Sequence, residues 1–291
     1  RDEAGARGPL HGIPMVLKDN YDTRDMPTTA SAVAMAGFVP PDDGTQVRRL
    51  REAGAVFIGK TNLHEFARGI ETISSLGGQT RNPYDPRRNP GGSSGGTAAA
   101  VAANFAAVGM GSDTCGSIRI PAANNNLFGL RVTQGLSSRD GIIPIAHSQD
   151  TAGPMARTVR DAAILLEAML GTDADDPASA GFPETPRNYT ANLAADGLAG
   201  RRIGVIRSYW GAGDHANAAE VTAATPAAAL PRLVDGQRPA VELVAVELPD
   251  GAVGVVVTAH LHETEAFEDY FEFDHLEAER DALLDSLKEL T

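Results

Sequence analysis

Asn89-Pro-Gly-Gly-Ser-Ser-Gly-Gly-Thr97 and, further on, Gly111-Ser-Asp-Thr-Cys-Gly-Ser-Ile-Arg-Ile-Pro121 decide how this chain is read. Each sets a serine, Ser93 or Ser117, in backbone that glycine frees for unusual torsions, where a hydroxyl and bare amides can approach a reacting group. Taken alone, 91–96 has the composition of a flexible connector. Its surroundings argue against that. Residues 94–104 are small and alanine-rich, as in a helix packed closely on its neighbours, and 106–111 form a short apolar run suited to a central strand. A phosphate-binding loop is the rival, since helix N-termini attract anions. The run, however, lacks the trailing Lys-Ser/Thr of a P-loop and does not match G-x-G-x-x-G.

Working outward, 13–17 is an apolar run that reads as a buried strand delivering Lys18 at its end. Residues 45–53 have helical spacing with Thr45 as the expected cap; Gly54 ends that helix and 55–59 follows as a strand. Pro121 falls where a first helical turn begins. Residues 158–170 carry a capping signal from Thr158 to Asp161 and an apolar stripe of Ala162, Leu165, Leu166 and Met169. The Asp-, Pro- and Ser-rich 172–192 reads as a surface loop. A second α/β stretch is expected beyond it: strands at 201–206 and 241–248, an alanine-rich helix broken near Pro226, and helices at 258–271 and 276–290. The fold class is therefore α/β, a mixed central β-sheet flanked by helices on both faces, in one domain over 1–291.

Composition narrows the function. The 42% hydrophobic content supports a sizeable core, and no apolar run is long enough for a membrane span. A net charge of −13 argues against a nonspecific grip on nucleic acid. The start, Arg1-Asp-Glu-Ala-Gly, lacks the apolar middle of a secretory signal, and the single cysteine excludes an internal disulfide; a cytoplasmic location is the expectation. Asp113 to Ser117 would lie between a strand and a helix, where several amides have no ladder partner. Aimed at one point beside a hydroxyl, such amides contribute about 3 kcal/mol each to a transition state carrying negative charge. The competing view of that segment is a tight turn using Gly116 for its torsion. Lys18 taken alone is a surface lysine; at the end of a buried strand its amine would lose its charge and become a base.

These segments, in this order, resemble the amidase signature family of serine hydrolases. The likeness covers 8–170 and continues more loosely to about 248. It rests on the Gly-Gly-Ser-Ser-Gly-Gly run, the spacing from Ser93 to Ser117, Gly116-Ser-Ile-Arg119, and Leu17-Lys-Asp-Asn20. The resemblance implies Ser117 as nucleophile, Ser93 as a bridging serine after a cis peptide at Gly92–Ser93, and Lys18 as base. It implies an oxyanion hole from the amides of Thr114, Cys115, Gly116 and Ser117, with Asp113 and Arg119 supporting the loop and Ser94 bonding within the site. Cys115 departs from the family's usual glycine, and Asn124-Asn-Asn126 is polar where an aromatic is common. Family members generally carry leading helices and a long C-terminal part, so the chain reads as truncated at both ends.

The expected function is hydrolysis of a carboxamide C–N bond, extending to carbamates, on a small-molecule amide, without metal or cofactor and with a homodimer as the candidate assembly. The 135–150 region looks more like stand-alone amidases than the glutaminase component of the tRNA-dependent amidotransferase, which is the alternative; an inactive scaffold is another. Weaker candidates are a Cys115 thiolate beside His147, a metal at His260-Leu-His-Glu263 and a calcium loop at Asp173-Ala-Asp-Asp176.

Overall fold

In the computed structural model of the chain, the described residues are 5, 8–180, 188–194, 241–247 and 253–259. Their elements run β1 (Pro14–Lys18), α1 (Thr45–Glu52), β2 (Val56–Thr61), β3 (Ile73–Ser74), β4 (Gly78–Gln79), α2 (Gly95–Ala102), β5 (Val108–Asp113), α3 (Arg119–Asn124), β6 (Phe128–Gly129), β7 (Thr151–Ala156), α4 (Val159–Met169), β8 (Val241–Glu247) and β9 (Val253–Ala259). The central sheet has the order β2-β1-β5-β7-β6. β1 runs parallel to β2 and β5, whereas β7 runs antiparallel to both β5 and β6. This is the mixed α/β sheet expected from the sequence.

Strand alternation divides the core into two layers. Met15, Leu17, Val108, Met110, Ala152 and Ala156 pack with Val47 and Leu50 of α1 and Leu165 and Met169 of α4. Val16 and Met155 face the other way, onto Ala98 and Val101 of α2, Ile118 at the start of α3 and Ala122 within it. Helices thus cover both faces, and the α2/α3 face is built for close approach. A Cβ on Gly109 would come within 2.5 Å of Thr97, and one on Gly96 within 2.2 Å of the Asn62 carbonyl.

Three local expectations change. Gly44, not Thr45, is the N-cap of α1, and it makes no side-chain cap bond. Instead Asp140 Oδ2 accepts from Thr45 N–H and Oγ1, so the helix start is capped from a distant loop. β7 forms against local propensity, because Thr151-Ala-Gly-Pro-Met-Ala156 contains two residues that weaken strands. Both fit here: Pro154 needs only its carbonyl, which accepts from Leu130 N–H at 3.0 Å, and Gly153 leaves no room for a side chain, since a Cβ would meet Leu130 O at 2.0 Å. β8 and β9 form an antiparallel hairpin, so Thr258 and Ala259, expected to begin a helix, end a strand in the β-branched Val253–Ala259 run. The remainder of that helix, the helix at 276–290, the strand at 201–206 and the Pro226 helix lie outside the described residues.

Thr158 caps α4 as expected, accepting from Asp161 N–H. The far end of α4 is held by Arg49 of α1, which donates to the carbonyls of Met169, Gly171 and Thr172. Within 172–192 the described residues form loops and two short 3₁₀ turns, Pro177–Ser179 and Thr190–Asn192. Gly96→Ala should destabilise the fold by about 1–3 kcal/mol. Gly59→Ala, where a Cβ meets nothing within 4 Å, should be close to neutral. Urea denaturation of the two variants checks this; equal midpoints would refute the close-approach argument.

Candidate active site

β1 carries Lys18 into the protein interior, where it is 0% exposed. Its amine lies 2.6 Å from Ser93 Oγ, 2.9 Å from Ser112 Oγ and 3.2 Å from Ser112 O. Burial lowers its pKa from the ordinary lysine value to about 7, although the Asp113 and Asp150 carboxylates pull the other way. A neutral amine has two N–H donors and one lone pair. In the neutral form, with both donors directed to Ser112, the lone pair would face the Ser93 hydroxyl. Ser112 also accepts from Asn20 Nδ2 at 3.0 Å, which fixes its hydroxyl.

Ser93 is itself fully buried, after a cis Gly92–Ser93 peptide. Its loop is held from several sides. Thr72 Oγ1 donates to Gly91 O, His64 N–H donates to Ser93 O, and buried Asn125 donates to Pro90 O and Pro121 O. The polar Asn124-Asn-Asn126 run therefore joins the glycine-rich loop to α3 where an apolar side chain could not. Ser94 Oγ donates to Ser112 O, and Ser94 N–H donates to Ser117 O at 3.1 Å. That backbone bond brings Ser117, 6% exposed, beside the Ser93 loop. Among the described residues, no hydrogen bond runs from Ser117 Oγ to Ser93 Oγ.

The turn after β5 wraps around one buried carboxylate. Asp113 accepts from Gly116 N–H at 2.8 Å, Ile118 N–H at 3.0 Å, Arg119 N–H at 3.4 Å and the Arg119 guanidinium at 3.2 and 3.3 Å. Arg131 Nε stands 3.2 Å away on the other side. Burial alone would raise the Asp113 pKa, but the Arg119 charge and these hydrogen bonds outweigh it and hold the group below its ordinary value. The Gly116 amide is thus committed to Asp113, which leaves the Thr114, Cys115 and Ser117 amides outside this network. Although Cys115 is exposed as a residue, partial desolvation by the surrounding turn and the Asp113 charge push its thiol up, opposite to what a thiolate nucleophile needs.

A cleft opens beside this turn. Ser112 and Thr114 line it, Ile142, Ile143, Pro144 and Ile145 give it an apolar wall, and Ala67, Arg139, His147, Asp150 and Thr151 complete the lining. Ser117 lies beyond this lining, on the Thr114 turn. The Asp173 and Asp176 segment is occupied internally: Asp176 pairs with Arg139 at 2.5 Å, and Asp173 accepts from Ser138 Oγ. Among the described residues no group of three His, Cys, Asp or Glu side chains is placed to hold a metal, and no helix is long and apolar enough to cross a membrane. His260 to Glu263 lies outside them. Ser112, Arg131 and Asp150 are the site residues that sequence reasoning gave no role; a serine ending an otherwise apolar strand was the one available signal.

This arrangement sits in a sequence that matches the Amidase family over residues 1–250. The chain belongs to the amidase family. It is 50% identical over 214 residues to a glutamyl-tRNA(Gln) amidotransferase component of Thermobifida fusca (strain YX), covering 73% of this chain and 43% of that protein. It also resembles the native peptide amidase of Stenotrophomonas maltophilia, with 49% identity, a TM-score of 0.71 and coverage of 79% and 48% of the respective chains. An amidase family protein from Bacillus anthracis gives 38% identity and a TM-score of 0.71, over 81% of this chain and 47% of that one. The chain thus spans less than half the length of these relatives.

In this member of the amidase family, Asp113→Asn should cost about 3 kcal/mol at neutral pH, because it leaves Arg119 and Arg131 without a buried counter-charge. The Asp113 pKa is lower folded than unfolded. Its contribution is present above the ordinary carboxylate value and is lost as pH falls through the folded value. Denaturation at pH 7 and below pH 4 should show the difference between wild type and variant shrinking in acid; a constant difference would refute the assignment.

Proposed function

We propose that this chain carries the catalytic part of an enzyme that hydrolyses a carboxamide C–N bond through an acyl-enzyme. Ser117 is the nucleophile, Ser93 the bridging hydroxyl and Lys18 the base. The observation that carries this reading is the buried Lys18 amine, 2.6 Å from Ser93 Oγ, with its pKa lowered to about 7. A base poised near the working pH accepts a proton readily without being protonated beforehand. Rotation of the Ser117 side chain closes the relay. As Ser117 Oγ attacks the carbonyl carbon, its proton passes to Ser93 Oγ and the Ser93 proton passes to Lys18. The amides of Thr114, Cys115 and Ser117 receive the developing oxyanion. Collapse breaks the C–N bond, the lysine proton returns through Ser93 to the leaving nitrogen, and water repeats the sequence to clear the acyl group. Carbamates fall within the same chemistry.

The second reading is the glutaminase part of an amidotransferase, favoured by relatives named as glutamyl-tRNA(Gln) amidotransferase components at 49–50% identity. Identity to the peptide amidase is 49%, so likeness alone does not separate the two. The apolar Ile142–Ile145 wall favours an uncharged acyl group. Release of ammonia from a peptide C-terminal carboxamide, or of an arylamine from an aryl amide, with no ammonia from glutamine, supports the stand-alone amidase; the reverse supports the glutaminase.

A fluorophosphonate should label the protein, and Ser117→Ala should abolish labelling with the circular dichroism spectrum unchanged. Lys18→Ala should slow labelling by about 10² or more. Because neutral Lys18 is the active form, the labelling rate should rise with pH through about 7. A flat profile between pH 5.5 and 8.5 would remove Lys18 as the base. A folded wild-type sample that does not label would leave an inactive scaffold.

A further inference from the structure

We propose that Asp150 is a positioning residue, strapping the turn that carries Ser117 to the apolar wall of the cleft. The inference rests on the hydrolase reading above and names a residue for which neither motif nor spacing gave a role. Asp150 Oδ1 accepts from Thr114 Oγ1 at 2.6 Å, and Oδ2 accepts from the N–H groups of Ile145 and Ala146 at 2.8 and 3.0 Å. One carboxylate therefore joins two segments far apart in sequence, the turn after β5 and the turn before β7.

Arg131 crosses the same junction. Its Nη2 donates to Thr114 O at 3.3 Å and to Gln149 O at 2.8 Å, and its Nε pairs with Asp113. Thr114 is thus gripped at its hydroxyl by Asp150 and at its carbonyl by Arg131, which fixes the plane of the peptide that presents the Cys115 amide. Asp150 Oδ1 already accepts one donor and Oδ2 two, so most of its acceptor capacity goes to holding these segments together. Its chemistry is that of an acceptor for three donors. An amide side chain would present its own N–H groups to at least one of them.

The same carboxylate also acts at a distance. Asp150 and Asp113 both favour the ammonium form of Lys18, and His64, whose pKa is lowered mainly by burial, also feels the Lys18 charge. Removing the Asp150 charge therefore has two separable consequences. Breaking the strap slows the reaction at every pH, and losing the charge lets Lys18 lose its proton at lower pH. Breaking the strap from the Thr114 side has only the first.

The test compares Asp150→Asn, Thr114→Val and Thr114→Ser in the full chain. It measures the fluorophosphonate labelling rate against pH and amide hydrogen exchange in peptides covering 112–119 and 142–150. Asp150→Asn should lower the plateau rate by about 10²-fold, the cost of misplacing reacting groups by about an ångström, and move the rise in rate to lower pH. Thr114→Val should lower the plateau and leave the rise where it is, and Thr114→Ser should restore the rate. Exchange should quicken in both segments for Asp150→Asn and Thr114→Val. Wild-type rates in both of these variants, or quickened exchange confined to 142–150, would overturn the proposal. If the wild-type protein does not label at all, the hydrolase reading falls, and the strap is decided by the exchange measurements alone.

Discussion

Taking an amine out of water is unfavourable unless something in the interior answers its hydrogen-bonding groups. Lys18 is placed in that position by the parallel pairing of β1 with β5, and Ser112 at the end of β5 and Ser93 in the glycine-rich loop answer it. This constraint organises the surrounding structure. β1 must be central, so it is covered on both faces. The loop bearing Ser93 must come close enough to touch it, so α2 starts with two glycines, Gly95 against Thr72 and Pro90 and Gly96 against the Asn62 backbone. Desolvation then makes the amine a candidate base, and packing is what tunes its chemistry.

Around this amine the chain uses two carboxylates differently. Asp113 is enclosed by backbone amides and two arginines, which gives the turn after β5 a single shape. Asp150 accepts from side chain and backbone across a junction between segments. Both lie near Lys18 and favour its charged form, so desolvation has to exceed their combined attraction to bring the amine near neutrality. Ser117 belongs to the shaped turn, next to Asp113, and so its position is inherited from that carboxylate more than from any contact of its own hydroxyl.

Much of this was legible from residues. The apolar run before Lys18, the small-residue helix after Ser94 and the Thr158 cap follow local rules of spacing and propensity, and the structure keeps each of them. β7 was not legible, because Gly153 and Pro154 argue against a strand until Leu130 is seen to occupy the space and supply the donor. The cap of the helix at Thr45 was not legible for a similar reason, since its acceptor, Asp140, comes from a loop distant in sequence. The Gly116 amide had every local mark of a free donor, and only the folded turn reveals that Asp113 holds it.

By itself the sequence determined the class of fold, the serine- and glycine-rich turns and the lysine at a strand end, because these depend on patterns within a few residues. The tertiary structure decided which groups meet. It set Ser112 beside Lys18, Asp150 beside Thr114 and Arg131 between two carbonyls and a carboxylate. Hydrogen bonds act over about 3 Å in space and are indifferent to distance along the chain, so no local pattern could have announced them.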